Sequence, residues 1–527
     1  MNTSAMMEDH KKALSTLWDI GSVALPYAVL VGLCFAFGGF KGPGAPFWAL
    51  KAFKADWPVW WIGSFGGCAI AAAVAAVSNP FRGGGEYGSA RFATFDDVKK
   101  WGLFATAGVI LGVFKGRYLR FENPLSVLVV APPDSGKTAG IIIPNLLSCG
   151  NSTLNVDVKG ELYEKTAKHR AKFSRVLLFA PGEKESVSWN PLSKAELPVD
   201  LDDVMLRVDR IAQILYTASA AENKDPTWLD NGKAVFRFYA LYLVHKDGET
   251  SIPGVRAFAL SQPDPQLAIA VICEEAGLPL RIKELGYRFV NMPDRQWGGV
   301  WGAFNDRLDV FSDPRVDRNF RTSDFQIESM RKERISLYLK VAPVDMLRLS
   351  RCLGLFIEFA ALTLQTRERQ PGEFLVTFFV DEFPRLPPMP TLLNMPALSR
   401  GYGVNVVFVV QGESQVVELY SEAGLATLKQ TCGYRVYFSS NDEKVAQSIS
   451  TAIGPRTRDK RSFSSAETRL TRNTSETSEA VPLLSAQDLM NLPPRSIVVL
   501  KQNNFATPVV AQDARWYLDR ALKPLVM

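Results

Sequence analysis

Val127-Leu128-Val129-Val130-Ala131-Pro132-Pro133-Asp134-Ser135-Gly136-Lys137-Thr138 is the stretch that decides the fold. Four apolar residues with no polar alternation read as a strand buried on both faces, as in a parallel sheet. They run into a loop of small residues and prolines ending Gly136-Lys137-Thr138, and a segment of helical length follows. Strand, tight loop and helix in that order make a P-loop. Its chemistry follows from its parts. The loop of Ala131, Pro132, Pro133, Asp134, Ser135, Gly136, Lys137 and Thr138 wraps the phosphates of a nucleotide with backbone N–H groups. The Lys137 ammonium neutralises the β/γ oxygens, the Thr138 hydroxyl serves Mg2+, and the positive end of the helix faces the anion. Ala131 stands where the pattern has its first glycine. Alanine tolerates a positive φ less well, so the turn is expected to differ there.

A P-loop works with an acidic group at the end of a neighbouring strand. Residues 374–380, FLVTFFV, run directly into Asp381-Glu382, a hydrophobic strand ending in an acidic pair. In this Walker B arrangement Asp381 is expected to hold Mg2+ together with Thr138, through a water, because Mg2+ keeps much of its hydration shell. Glu382 is expected to orient or deprotonate the attacking water. Residues 404–410 form another buried strand whose tip, Gln411, is placed to sense the γ-phosphate. The expected ligands are thus ATP and Mg2+, with Lys137, Glu382 and Gln411 as catalytic residues. Arg400, in S-R-G-Y-G before that last strand, is a candidate arginine finger for the γ-phosphate of a neighbour. An ordinary surface or salt-bridged arginine is the other reading.

Lys137 and Asp381 are 244 positions apart, far more than a nucleotide-binding core needs. The intervening 201–312 is mainly helical in pattern: Val235, Phe238, Tyr239, Tyr242 and Leu243 fall on one face of a helix. Further strands are expected at 152–158, 176–180, 435–438 and 497–500. The fold class is therefore α/β, a doubly wound parallel sheet with an inserted all-α domain. The nucleotide-binding domain occupies 81–200 and 313–527, and the all-α domain 201–312. The apolar run 103–114 has 12 residues, too few to span a bilayer, and reads as soluble structure leading to the P-loop strand. Residues 455–480 are polar and rich in Ser, Thr and Arg, and read as a flexible loop, or as a basic loop facing nucleic acid.

Residues 1–80 read as an N-terminal transmembrane hairpin. The stretches 20–40 and 57–77 are each 21 residues without a charge, enough to cross ~30 Å of hydrocarbon as helices. A nucleotide motif must face the cytosol, so both ends are cytoplasmic and the bulk of this multi-pass chain lies inside. At 527 residues the chain exceeds one ordinary core. Its net charge of +6 is compatible with nucleic acid without demanding it. Six scattered cysteines without C-x-x-C argue against a disulfide scaffold or zinc site, and three unpaired histidines against His-based metal chemistry.

Taken in order, the motifs resemble those of TraG/TraD-type coupling proteins of type IV secretion and conjugation systems. The matching signs begin with the span pair, Gly88-Ser89-Ala90-Arg91-Phe92-Ala93, and the P-loop followed by Ile143-Pro144-Asn145-Leu146-Leu147. Asp157-Val158-Lys159-Gly160-Glu161, Asn190-Pro191-Leu192 and Arg321-Thr322-Ser323-Asp324-Phe325 come next. Asp381-Glu382-Phe383 and Arg400-Gly401-Tyr402-Gly403 with Gln411 complete the set. Alanine at the Ala131 position is common in that family. The resemblance implies a RecA-like motor domain, homo-hexamers with ATP between subunits, and Arg400 as the finger. It also implies a receptor in the bacterial inner membrane that brings relaxase with single-stranded DNA, or protein effectors, to a type IV secretion channel, with ATP hydrolysis stimulated by DNA. Two other functions fit the Walker pair: an adaptor receptor for secreted proteins that uses ATP mainly for assembly, and an FtsK-like DNA translocase.

Overall fold

The computed structural model describes residues 87–217, 226–464 and 473–526. The stretches read as membrane spans, 20–40 and 57–77, lie outside the described residues. Among those described, no helix is long and apolar enough to cross a membrane. The described residues form two compact units, 92–453 with 484–526 and 87–91 with 454–483.

The strands in chain order are β1 (Val109–Phe114), β2 (Arg117–Phe121), β3 (Val127–Val130), β4 (Ser152–Asp157), β5 (Arg175–Phe179), β6 (Ile335–Lys340) and β7 (Val376–Val380). They continue with β8 (Val404–Val410), β9 (Tyr434–Tyr437), β10 (Pro455–Ser464), β11 (Asn473–Pro482), β12 (Ser496–Lys501) and β13 (Val509–Gln512). Eleven of them make one sheet in the larger unit, ordered β2-β1-β13-β12-β9-β3-β8-β7-β4-β6-β5. From β9 to β5 every neighbouring pair is parallel. The remaining strands form an antiparallel wing, which corrects the expectation of a purely parallel sheet. Two of its pairs, β1–β2 and β12–β13, are joined by links too short for a parallel crossover. Lys115 and Gly116 both have positive φ, 49° and 78°, and join β1 to β2 as a two-residue hairpin turn of the type that matches strand twist. The second half of the apolar run 103–114 is thus the buried strand of this hairpin.

Every residue of β3, β4, β7 and β8 is buried, as expected of strands covered by helices on both faces. Val127, Val129, Val407 and Val409 point to one face and pack with Ile141, Ile142, Leu146 and Leu147 of the segment after the P-loop. That segment begins as a π-type turn, Thr138–Ile142, and continues as an α-helix, Ile143–Ser148. Two buried polar side chains hold it. Asn145 accepts from the Ile110 N–H at 2.7 Å and donates to the carbonyls of Ile110 and Ile141 at 2.8 Å each. The Arg170 guanidinium donates to the carbonyls of Leu146, Cys149 and Asn151 at 2.9–3.0 Å, closing the far end of the helix.

β6 is the strand the sequence hides. Its buried Ser336 and Tyr338 interrupt the apolar run. Both find partners, Ser336 with Arg170 and Tyr338 with Thr166, so polar residues sit in a two-sided strand. Between β5 and β6 the described residues include the helices Leu201–Leu215, Pro226–Asp247, Ile252–Leu260, Pro265–Glu274, Leu280–Val290 and Asp294–Leu308. The Pro226–Asp247 helix is buried on more than one face: Phe236 and Leu241 are as enclosed as Phe238 and Tyr239. Its apolar middle, 234–244, is thus the central part, while Asp230 in its first turns is exposed.

In the smaller unit, β10 and β11 pair antiparallel from Pro455↔Pro482 to Ser464↔Asn473. This corrects the flexible loop expected over 455–480 at 455–464 and 473–480, while 465–472 lie outside the described residues. A ribbon needs backbone partners more than apolar area, and opposite charges face each other at Arg458↔Glu479. Ala90 N–H donates to the Pro455 carbonyl at 3.1 Å and Tyr87 N–H to Thr457 Oγ1 at 3.1 Å, so residues 87–90 extend the base of the ribbon. That is where Gly88-Ser89-Ala90 lies.

Candidate active site

Three neighbouring parallel strands, β3, β8 and β7, end at the same edge. The register pairs Val130 with Val410 and Val380 with Phe408. Ala131, Gln411 and Asp381-Glu382 therefore leave the sheet side by side, the usual place for a ligand in an open parallel sheet.

The P-loop turns without strain at its first position. Ala131 is fully buried, donates its N–H to the Val410 carbonyl at 2.9 Å, and has no positive φ. The left-handed positions are Asp134 and Gly136, φ 58° and 90°. Aspartate tolerates that region and glycine enters it freely. The replacement at Ala131 thus has no conformational consequence. Ser135 closes the turn by donating its hydroxyl to the Pro132 carbonyl at 2.7 Å.

Side chains from the two distant motifs meet. Lys137 Nζ lies 3.0 Å from Glu382 Oε1 across 245 positions of chain. Thr138 Oγ1 donates to Asp381 Oδ2 at 3.0 Å. Gln411 Nε2 donates to Glu382 Oε2 at 2.7 Å, and Arg385 Nε stands 3.1 Å from the same oxygen. Glu382 itself adopts φ 58°, which aims its carboxylate back at the loop. Burial pushes its carboxyl up, but the Lys137 and Arg385 cations and the Gln411 amide outweigh this and hold it below the usual range. Asp381 goes the other way: burial raises it, and Lys137 offsets only part. Asp157, at the end of β4 beside β7, is pushed up to about 6 by burial, while accepting the Tyr163 N–H at 2.8 Å.

The donor set fits a magnesium nucleotide. Thr138 and Asp381 place a hydroxyl and a carboxylate together at 3.0 Å, the hard oxygen donors that Mg2+ takes directly or through its own waters. Among the described residues no group of three or more His, Cys, Asp or Glu forms a metal cage. Mg2+ in phosphate sites commonly takes one or two protein oxygens and the rest from water and phosphate.

Arg400 is not brought to this cluster. It is exposed in the last turn of the helix Pro390–Tyr402, before β8 begins. The cluster lies at the other end of β8, seven residues away, roughly 23 Å at 3.3 Å per residue. Two contributors went unnoticed in the sequence. Arg385 was readable as a basic residue three positions after Glu382. Arg515 was not, being 380 positions from the loop carbonyl it binds.

The family model described as type IV secretory system conjugative DNA transfer matches residues 91–526. Protein VirD4 of Agrobacterium fabrum is 28% identical over 468 residues, 84% of this chain and 68% of its own. Conjugal transfer protein TraG of Escherichia coli is 26% identical over 417 residues, 70% of this chain and 64% of its own. The chain thus aligns with about two thirds of the length of these relatives. Among solved structures, the unbound coupling protein TrwBdeltaN70 superposes with a TM-score of 0.57 at 15% identity, covering 81% of this chain and 94% of that one. TrwB in complex with ADP and Mg2+ superposes with a TM-score of 0.56 at 15% identity, covering 81% and 94%. At such identities these two establish a shared fold.

Proposed function

The chain belongs to the type IV secretory system conjugative DNA transfer family, and on that premise we propose that it is a membrane-anchored coupling ATPase. Its cargo is relaxase with single-stranded DNA, or protein effectors, handed to a type IV secretion channel at the bacterial inner membrane. The observation that carries the catalytic part is the 3.0 Å approach of Lys137 to Glu382, beside the Thr138–Asp381 pair. An ammonium, a hydroxyl and two carboxylates from two distant segments of the chain converge at one edge of the sheet.

Lys137 and Glu382 pair an ammonium with a carboxylate. Incoming ATP gives Lys137 stronger anionic partners in the β/γ oxygens, so the ammonium leaves Glu382. Thr138 and Asp381 would hold Mg2+, which when bound would supply positive charge against the negative charge developing on the phosphates. Without the ammonium, Glu382 regains basicity and takes the proton of the attacking water. Gln411, already within hydrogen-bond reach of Glu382, orients that water or reads the γ-phosphate. Arg400 serves a neighbouring copy in a homo-hexamer, and the stretches 20–40 and 57–77 anchor the chain in the inner membrane.

The test is ATP hydrolysis by the purified full chain, with and without single-stranded DNA. Stimulation that fades steeply between 50 and 200 mM salt is expected of a phosphate-tracking motor. Hydrolysis with no response to DNA, and no DNA binding at low salt, would favour the adaptor function instead. Failure to retain Mg-ADP would remove the nucleotide site itself.

A further inference from the structure

Pro144 creates a vacancy that the far end of the chain fills. In an α-helix the Gly140 carbonyl would accept from residue 144, but proline has no N–H. The π-type turn sends the Ile143 N–H to the Thr138 carbonyl, so the Ala139 carbonyl also loses its α-helical partner. Residues 513–516 supply both missing donors: Ala514 N–H to Gly140 O and Trp516 N–H to Ala139 O, each 3.1 Å. Asp513, fully buried, lies where a Cβ on Gly140 would fall, 2.8 Å from it. Arg515 does the same at Gly136, with Nη2 2.8 Å from a Cβ built there.

Arg515 is itself held from two sides. Its Nε donates to Asp513 Oδ2 at 2.8 Å and its Nη1 to Tyr517 Oη at 2.9 Å. Its remaining terminal nitrogen, Nη2, donates to the Ser135 carbonyl at 3.1 Å. The Ser135–Gly136 peptide is trans and planar, so its C=O and N–H point in opposite directions. A guanidinium pulling the carbonyl outward therefore turns the Gly136 N–H inward, to where a phosphate would sit.

We propose that Arg515 is a positioning residue of the nucleotide site: it fixes the Ser135–Gly136 peptide so that the loop is formed before phosphate arrives. This inference rests on the nucleotide-binding function proposed above. Pre-orientation lowers the cost of binding and acts on the phosphates alone. Arg515→Ala is expected to weaken Mg-ADP and Mg-ATP binding by at least about tenfold each, leaving AMP unchanged. Arg515→Lys, which still reaches a carbonyl with one donor, recovers part of the loss.

The experiment is nucleotide titration of the full chain, with Arg495→Ala as the control. Arg495 pairs with the other oxygen of the same carboxylate, Nε to Asp513 Oδ1 at 3.2 Å, and has no contact with Ser135. A loss confined to Arg515→Ala and to di- and triphosphates supports the proposal. Unchanged ADP affinity, equal losses in both variants, or an equal loss for AMP overturns it. If the wild-type chain binds no Mg-ADP, the nucleotide reading fails and takes this inference with it.

Discussion

Glu382→Gln separates two effects that the structure combines in one carboxylate. The amide has the shape of the acid and keeps an acceptor for Gln411, but it has neither charge nor basicity. Loss of a positioned general base costs roughly 10²–10⁴ in rate, about 2.7–5.5 kcal/mol of barrier. Binding moves the other way. Lys137 and Glu382 are 10% and 14% exposed, so their contact is shielded and stronger than a surface pair. A charged hydrogen bond of this kind contributes about 1.5–3 kcal/mol. ATP must break it to recruit Lys137, and the amide keeps part of it. The variant should therefore bind Mg-ATP up to about tenfold more tightly, ~1.4 kcal/mol, while turnover collapses. Equilibrium titration with a slowly hydrolysed analogue, beside steady-state phosphate release, reads both quantities. Normal turnover would refute the assignment of the base. ATP binding weakened tenfold would refute the resting-pair argument, because it would mean that Glu382 holds the nucleotide rather than competing with it.

Arg400→Ala should leave nucleotide affinity unchanged in dilute solution and abolish the rise of specific activity with protein concentration; an unchanged concentration profile counts against the finger. Glu358 is buried in the helix Met346–Thr363 and accepts the Thr391 and Leu392 N–H groups at 3.0 and 3.3 Å, while burial pushes its carboxyl up to about 7. Its folded pKa lies above the ordinary 4.5, so the unfolded chain releases the proton first and stability falls as pH rises from about 4.5 to 7. Glu358→Gln stays neutral, and the wild-type stability relative to it should drop by roughly 3 kcal/mol across that window in denaturant titrations at fixed pH; a difference independent of pH contradicts the raised carboxyl. Asn145→Leu strands the Ile110 N–H and carbonyl in the core and should cost about 2–4 kcal/mol of stability, seen as a lower denaturation midpoint; a change under 1 kcal/mol would show that β1 is held to the P-loop helix by other means.

How legible each part was depends on the range over which its cause acts. The P-loop and the acidic pair are local patterns, an apolar run feeding a turn, and both stand at strand ends in the fold. Contact between them needed strand order, which a separation of 244 positions conceals. β6 was hidden because its polar residues are satisfied by Arg170 and Thr166, partners from another helix. The antiparallel wing is hidden because the only local sign of it is the two-residue turn Lys115-Gly116, outside the apolar run 103–114. The ribbon at 455–482 was hidden because composition measures burial, while a ribbon is held by its backbone. Pro144 was the one visible sign of the C-terminal brace: a proline four residues after Gly140 leaves a carbonyl that something must bind.

The position of Arg400 decides what kind of machine the site can belong to. Lys137, Thr138, Asp381, Glu382 and Gln411 all stand where strands end, whereas Arg400 stands where β8 begins. Roughly 23 Å of buried strand separates it from Gln411, far beyond the reach of one side chain. Gly403, left-handed at φ 64°, ends the helix and turns the chain straight into β8, so the intervening segment has no slack. Arg400 therefore does not serve the triphosphate of its own chain. Either it is a surface residue, or it serves the site of another copy whose strand ends face this edge. In the second case one chain supplies the base and the next supplies the cation, so turnover at each site reports that the neighbour is in place. An isolated chain would then bind nucleotide with full affinity and hydrolyse it slowly, and the total rate would rise at least with the square of concentration before becoming linear once the copies are assembled. A first-order dependence throughout would leave the single-chain site complete in itself.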